Sequence, residues 1–97
     1  MGGLTYKELQ ALISWTRSGS RRVRIRLRGC RYSVSIGRYI RAVDPAGRVI
    51  PWGTAFGTRA PHAVLSSFKV EEVIVEEGGG EKRFGSLEEL LRYAGLR

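Results

Sequence analysis

The run Arg22-Val23-Arg24-Ile25-Arg26-Leu27-Arg28 constrains the fold more than any other part of the chain. Laid out as a strand, the period of two sends Val23, Ile25 and Leu27 to one face and Arg22, Arg24, Arg26 and Arg28 to the other. The strand therefore belongs to a sheet that is apolar on one face and cationic on the other. The apolar face needs a covering layer. The cationic face cannot take one cheaply, because a buried charge without a partner is costly.

The remaining pattern supplies both the cover and further strands. Thr5 and Glu8 have the spacing of a capping box, and Leu4 and Leu9 that of a hydrophobic staple. Leu9, Leu12, Ile13 and Thr16 continue at helical spacing, and Ser18-Gly19 closes the helix near Arg17. After a turn at Gly29-Cys30, Tyr32, Val34 and Ile36 alternate with Ser33 and Ser35 in a second strand, which is expected to continue through a bulge at Gly37 into residues 38–43. Asp44-Pro45-Ala46-Gly47 has type I turn chemistry and should form a hairpin with residues 48–52. Residues 53–62 read as a loop, residues 63–67 as a short strand or turn, and residues 70–77 as a β-branched strand. Gly78-Gly79-Gly80 turns into a short strand over 81–84. Ser86 and Glu89 then start a short C-terminal helix with a Leu87, Leu90 and Leu91 stripe, ended by Gly95. The expected class is α+β, a single domain over 1–97: an N-terminal helix, an antiparallel meander of about five strands forming an open sheet or small barrel, and a short C-terminal helix.

Charge carries the functional signal. The chain has 17 Lys and Arg against 9 Asp and Glu, a net charge of +8. Residues 1–62 hold twelve basic and two acidic groups, whereas residues 63–97 hold five basic and seven acidic. Fourteen of the basic residues are Arg, whose planar fork pairs with phosphate and stacks on bases. A polyanion is the expected partner. One cysteine, Cys30, and one histidine, His62, rule out an internal disulfide and a single-chain zinc centre, so no metal and no cofactor is expected. No apolar run nears the ~20 residues that span a bilayer, and no signal-peptide layout opens the chain; a soluble, cytoplasmic protein with no membrane partner is expected. The absence of Asn and the single Gln10 suit a thermophilic source.

Alternate residues on a strand stand roughly 6.6 Å apart, so the four stripe arginines form a row some 20 Å long. Arg31, Arg38 and Arg41, with Arg17 and Arg21, widen it. A solvated face paired with Glu71, Glu72, Glu76 and Glu77 is the bland alternative, but four carboxylates cannot balance nine guanidinium groups. Aromatic residues interleave with the cations: Tyr32 and Tyr39 in the strands, Trp52 and Phe56 beside the glycine-containing loop that carries Arg59 and His62. Unstacked bases need flat apolar faces, and Phe56 with Arg59 is the expected stacking pair, with a Phe56 that plugs the core as the competing reading. The expected function is a non-catalytic RNA-binding or single-stranded nucleic-acid-binding domain. The alternatives are a metal-independent ribonuclease using His62 and a module that docks an acidic protein.

Leu9-Gln10-Ala11-Leu12-Ile13-Ser14-Trp15, the strand ending at Arg28-Gly29, and Phe68-Lys69-Val70-Glu71-Glu72-Val73 together resemble the archaeal RNA cyclic-group end recognition domain family over residues 4–77. That family has a His-Arg pair before its glycine and another before its last strand. Leu27-Arg28 and Ser66-Ser67 occupy those positions here, so the motif histidines are absent. The resemblance implies an RNA-related role.

Overall fold

The capping box is complete in the computed structural model, which describes residues 4–96. The Thr5 hydroxyl accepts from the Glu8 N–H at 3.1 Å, and the Glu8 carboxylate accepts from the Thr5 N–H at 3.1 Å. This starts α1, Tyr6–Ser18, with Leu4 and Leu9 buried on either side of the cap. The chain then enters β1 (Arg22–Leu27), β2 (Ser33–Ile36), β3 (Ile40–Val43) and β4 (Val49–Ile50). Two helices follow, α2 (Trp52–Phe56) and α3 (Pro61–Ser67), then β5 (Val70–Glu77), β6 (Gly80–Phe84) and α4 (Leu87–Tyr93).

All six strands form one antiparallel sheet in the order β4-β3-β2-β1-β5-β6. β4 and β6 are its two edges, so the sheet is open and not a barrel. The α+β class holds, with two departures from the expected meander. Residues 37–39 reverse the chain, so residues 40–43 form a separate strand paired with β2, Ile36 opposite Ile40 and Ser33 opposite Val43. Gly37 therefore sits in a hairpin turn and not in a bulge. The meander also breaks after β4, which Pro51 stops after two residues.

From there the chain must reach the far side of β1. Successive antiparallel pairings leave β4 and β5 pointing the same way, and strands in that relation need a crossover connection. That crossover is helical, which corrects the loop expected at 53–62 and the strand or turn at 63–67. Pro61 takes the first position of α3, where its missing N–H costs nothing, and Val64 and Leu65 are buried.

Leu9 and Leu12 of α1, Phe56 of α2, Val64 and Leu65 of α3, and the α4 leucines share one core. Val23, Ile25, Leu27, Val34, Ile36, Ala42, Val73 and Val75 meet them from a single face of the sheet. Each fully buried aliphatic side chain contributes about 1.5–3 kcal/mol relative to exposure. Val43 and Ile74, buried on the opposite face, lie outside this cluster. The molecule is thus two-layered, with helices over one face of the sheet and none over the other. Gly78 and Gly79, both at positive φ, make the two-residue β5–β6 hairpin that right-handed strand twist favours.

Candidate nucleic-acid interface

Strand register builds the uncovered face. Arg24 stands opposite Ser35 on β2 and Ile74 on β5, and Ser35 in turn stands opposite Arg41 on β3. One row across the sheet therefore reads Arg41, Ser35, Arg24, Ile74, Arg83. The next row reads Val49, Val43, Ser33, Arg26, Glu72. Neighbouring strands are about 4.8 Å apart, which puts Arg24 and Arg41 about 10 Å from each other at the backbone. The hydroxyls of Ser33 and Ser35 make no hydrogen bond to another described residue.

Carboxylates stand on the β5–β6 side of this face, and Asp44 lines it at the β3–β4 turn. Glu72 pairs with Arg26 at 3.1 Å and with Arg83 at 3.4 Å, and Glu81 pairs with Arg83 at 3.2 Å. Exposed pairs of this kind contribute about 0–1 kcal/mol each. The bland reading thus holds for Arg26. It fails for Arg24, Arg38 and Arg41, which have no carboxylate within ion-pair distance among the described residues, while Arg22 stands opposite Glu76 on β5 without forming an ion pair with it.

Arg21 belongs to the scaffold. Its guanidinium binds Glu77 at 2.7 Å and the Trp15 carbonyl at 3.1 Å, and lies 4.4 Å from the Trp15 ring centroid. Glu77 also accepts from the Tyr93 hydroxyl. That hydroxyl first, and Arg21 second, hold the Glu77 carboxyl below the usual glutamate range. At the β3–β4 turn, Asp44 accepts from the N–H groups of Arg48 at 2.8 Å and Ala46 at 3.0 Å. The Arg48 amide is the main reason its pKa is lowered.

The aromatic feature of the face is Tyr39, at the β2–β3 turn. It is 58% exposed, with the Arg41 guanidinium 5.2 Å and the Arg38 guanidinium 6.0 Å from the ring centroid. One groove runs past Arg22, Arg24, Ser35, Arg38, Tyr39 and Arg41, edged by the exposed Val49. A second runs past Arg24, Arg26, Arg31, Ser33 and Arg83, with the carboxylates of Asp44, Glu71 and Glu72 also in its lining, and shares Arg24 with the first.

Several expected site residues lie elsewhere. Arg28 falls just beyond β1 in the turn and lines neither groove. Phe56 corrects the expected stacking ring: it is only 8% exposed, and its neighbours are the rings of Tyr32 at 6.1 Å, Trp52 at 4.7 Å and Phe68 at 6.4 Å. It plugs the core because it closes α2 on the inner face of the sheet. Arg59 goes with it, its guanidinium 5.9 Å from the Phe68 ring and its carbonyl accepting from the Trp52 indole at 2.7 Å. His62 packs edge-on against Tyr6 at 5.6 Å in the helical layer and lines neither groove.

No family model, curated protein or solved structure matches the chain. Among the described residues, no three His, Cys, Asp or Glu side chains gather as metal ligands, and no helix is long and apolar enough to cross a membrane.

Proposed function

We propose that the uncovered sheet face binds RNA through its phosphates and performs no chemistry on it. The observation that carries this reading is the set of arginines on one open face, Arg22, Arg24 and Arg41, that form no ion pair among the described residues, Arg24 and Arg41 having no carboxylate opposite them in the register either. Arginines whose backbones stand about 10 Å apart on one face gather like charges, and phosphates laid between them convert that repulsion into binding while releasing counterions. The Ser35 hydroxyl stands between Arg24 and Arg41 and the Ser33 hydroxyl beside Arg26, both without a hydrogen-bond partner among the described residues and free to meet a ribose 2′-hydroxyl, the group that distinguishes RNA from DNA.

The resemblance to the RNA cyclic-group end recognition domain points the same way. Two of the three segments that carry it lie side by side: Leu27 pairs with Val70, and the Arg28 N–H donates to the Lys69 carbonyl at 2.7 Å. The absence of catalysis rests on His62, the only histidine, whose contact is the Tyr6 ring on the helical side.

The test is titration of a labelled single-stranded RNA in EDTA at several salt concentrations, followed by analysis of the RNA itself. Binding that weakens with salt and leaves the RNA intact supports the reading. Cleavage that His62→Ala abolishes refutes its non-catalytic part, and an affinity that salt does not change refutes the phosphate contact.

A further inference from the structure

We infer that Tyr39 is a stacking platform for an unpaired base, which makes the ligand of this face a single strand and not a duplex. The inference rests on the RNA-binding reading above and adds the residue that selects the form of RNA.

Tyr39 packs on no other ring and makes no side-chain hydrogen bond among the described residues. The other exposed aromatics are held in place: Tyr6 packs on His62, and Tyr93 is bonded to Glu77 and packs on Trp15 and Phe84. Tyr39 is absent from the core and from the residues packed against it, and its hydroxyl has no partner among the described residues. Its ring neighbours are the two guanidinium groups of Arg38 and Arg41. An aromatic ring left 58% exposed on a charged turn costs the fold apolar exposure and returns only the contact of two solvated guanidinium groups.

Its position supplies the use. The ring stands where two grooves meet, the arginine groove of the sheet face and a second one lined by Arg17, Ser20, Arg21 and Arg38 at the end of α1. A strand whose phosphates follow Arg24 and Arg41 passes the ring before it leaves the sheet. Arg38 and Arg41 are themselves groups that stack on bases, so a base entering there finds a ring and a guanidinium together. A duplex cannot use this ring, because its bases are stacked on each other and present only edges and phosphates outward.

The experiment measures the affinity of the full chain for an oligouridylate, for an abasic ribose-phosphate chain of the same length, and for a blunt RNA duplex. The proteins compared are wild type, Tyr39→Ala, Tyr39→Phe and Arg24→Ala. Wild type should prefer the oligouridylate over the abasic chain by about 5- to 150-fold, the range of one base stacked on one ring. Tyr39→Ala should lose that preference while keeping wild-type affinity for the abasic chain and the duplex, and Tyr39→Phe should keep the preference. A preference that survives Tyr39→Ala, or that Tyr39→Phe also loses, overturns the inference. If Arg24→Ala weakens binding to all three ligands while Tyr39→Ala changes nothing, the stacking platform fails alone. A wild-type protein that binds none of the three overturns the phosphate reading as well.

Discussion

The arginines of the face are not equivalent, and salt dependence separates them. Arg22, Arg24, Arg38 and Arg41 form no ion pair among the described residues, whereas Arg26 shares Glu72 with Arg83. If each of the four unpaired residues neutralises one phosphate, log K against log salt on a single strand should have a slope of about −3, at about 0.7 per phosphate. A fourfold rise in salt then weakens wild type about 50-fold. Arg24→Ala with Arg41→Ala should halve the slope and reduce that loss to about 7-fold. The fold should not suffer. Two unit charges at the backbone spacing of about 10 Å would repel by about 0.4 kcal/mol in a water-like dielectric, and by less with salt, so their removal leaves the melting temperature unchanged or slightly raised. Arg26→Ala leaves Glu72 paired with Arg83 and should move the slope by much less than 0.7. Fluorescence anisotropy titrations at four or more salt concentrations, with thermal unfolding alongside, measure all of this. Equal slopes for Arg26→Ala and Arg24→Ala would refute the argument that ion pairing within the sheet decides which arginines bind.

Three further outcomes follow from the contacts. Phe56→Ala removes a ring enclosed by three others and should cost about 3–5 kcal/mol of stability in denaturant titration, with RNA affinity per folded molecule unchanged. Thr5→Ala breaks the capping box and should lower stability by about 1 kcal/mol, or about 4–8 °C in melting temperature, again without touching RNA binding. The Glu77 carboxyl is held below its ordinary value of 4.5, so its contacts with Tyr93 and Arg21 contribute stability above that pH and lose it as pH falls further. Melting temperature followed from neutral pH down to about pH 3 should therefore fall less steeply in Glu77→Gln than in wild type.

Local chemistry was legible wherever a few neighbouring residues decide the outcome. The capping box at Thr5 and Glu8, the Asp44–Gly47 turn and the Gly78-Gly79 hairpin need no information from elsewhere in the chain. The segment after β4 was not legible in this way. Val64 and Phe68 suit a helix while the residues from Val70 onward suit a strand, and what selects the helix is a long-range fact, that β5 must be delivered to the far side of β1. The same cause hid the fate of Phe56. On a loop it would be a surface ring; on the last turn of α2 it faces the core.

The candidate site divides along the same line. The alternation of Arg22, Arg24 and Arg26 was visible at once, because period two is a property of one strand. The side taken by Tyr39 was not, since a bulge at Gly37 would have shifted the alternation by one residue. The three-residue reversal from Ile36 to Ile40 preserves it, and Tyr39 emerges beside Arg41. Which arginines stay unpaired is likewise a matter of register between β1 and β5. Four glutamates lie on that neighbouring strand, yet the pairing sets Ile74 against Arg24 and uses Glu72 on Arg26, while Glu77 binds Arg21 and Tyr93. A slip of two residues would keep every side chain on its own face and place Glu72 or Glu76 opposite Arg24. The free charge at the centre of the face therefore depends on Ile74, an apolar residue at a position where a carboxylate would have silenced Arg24.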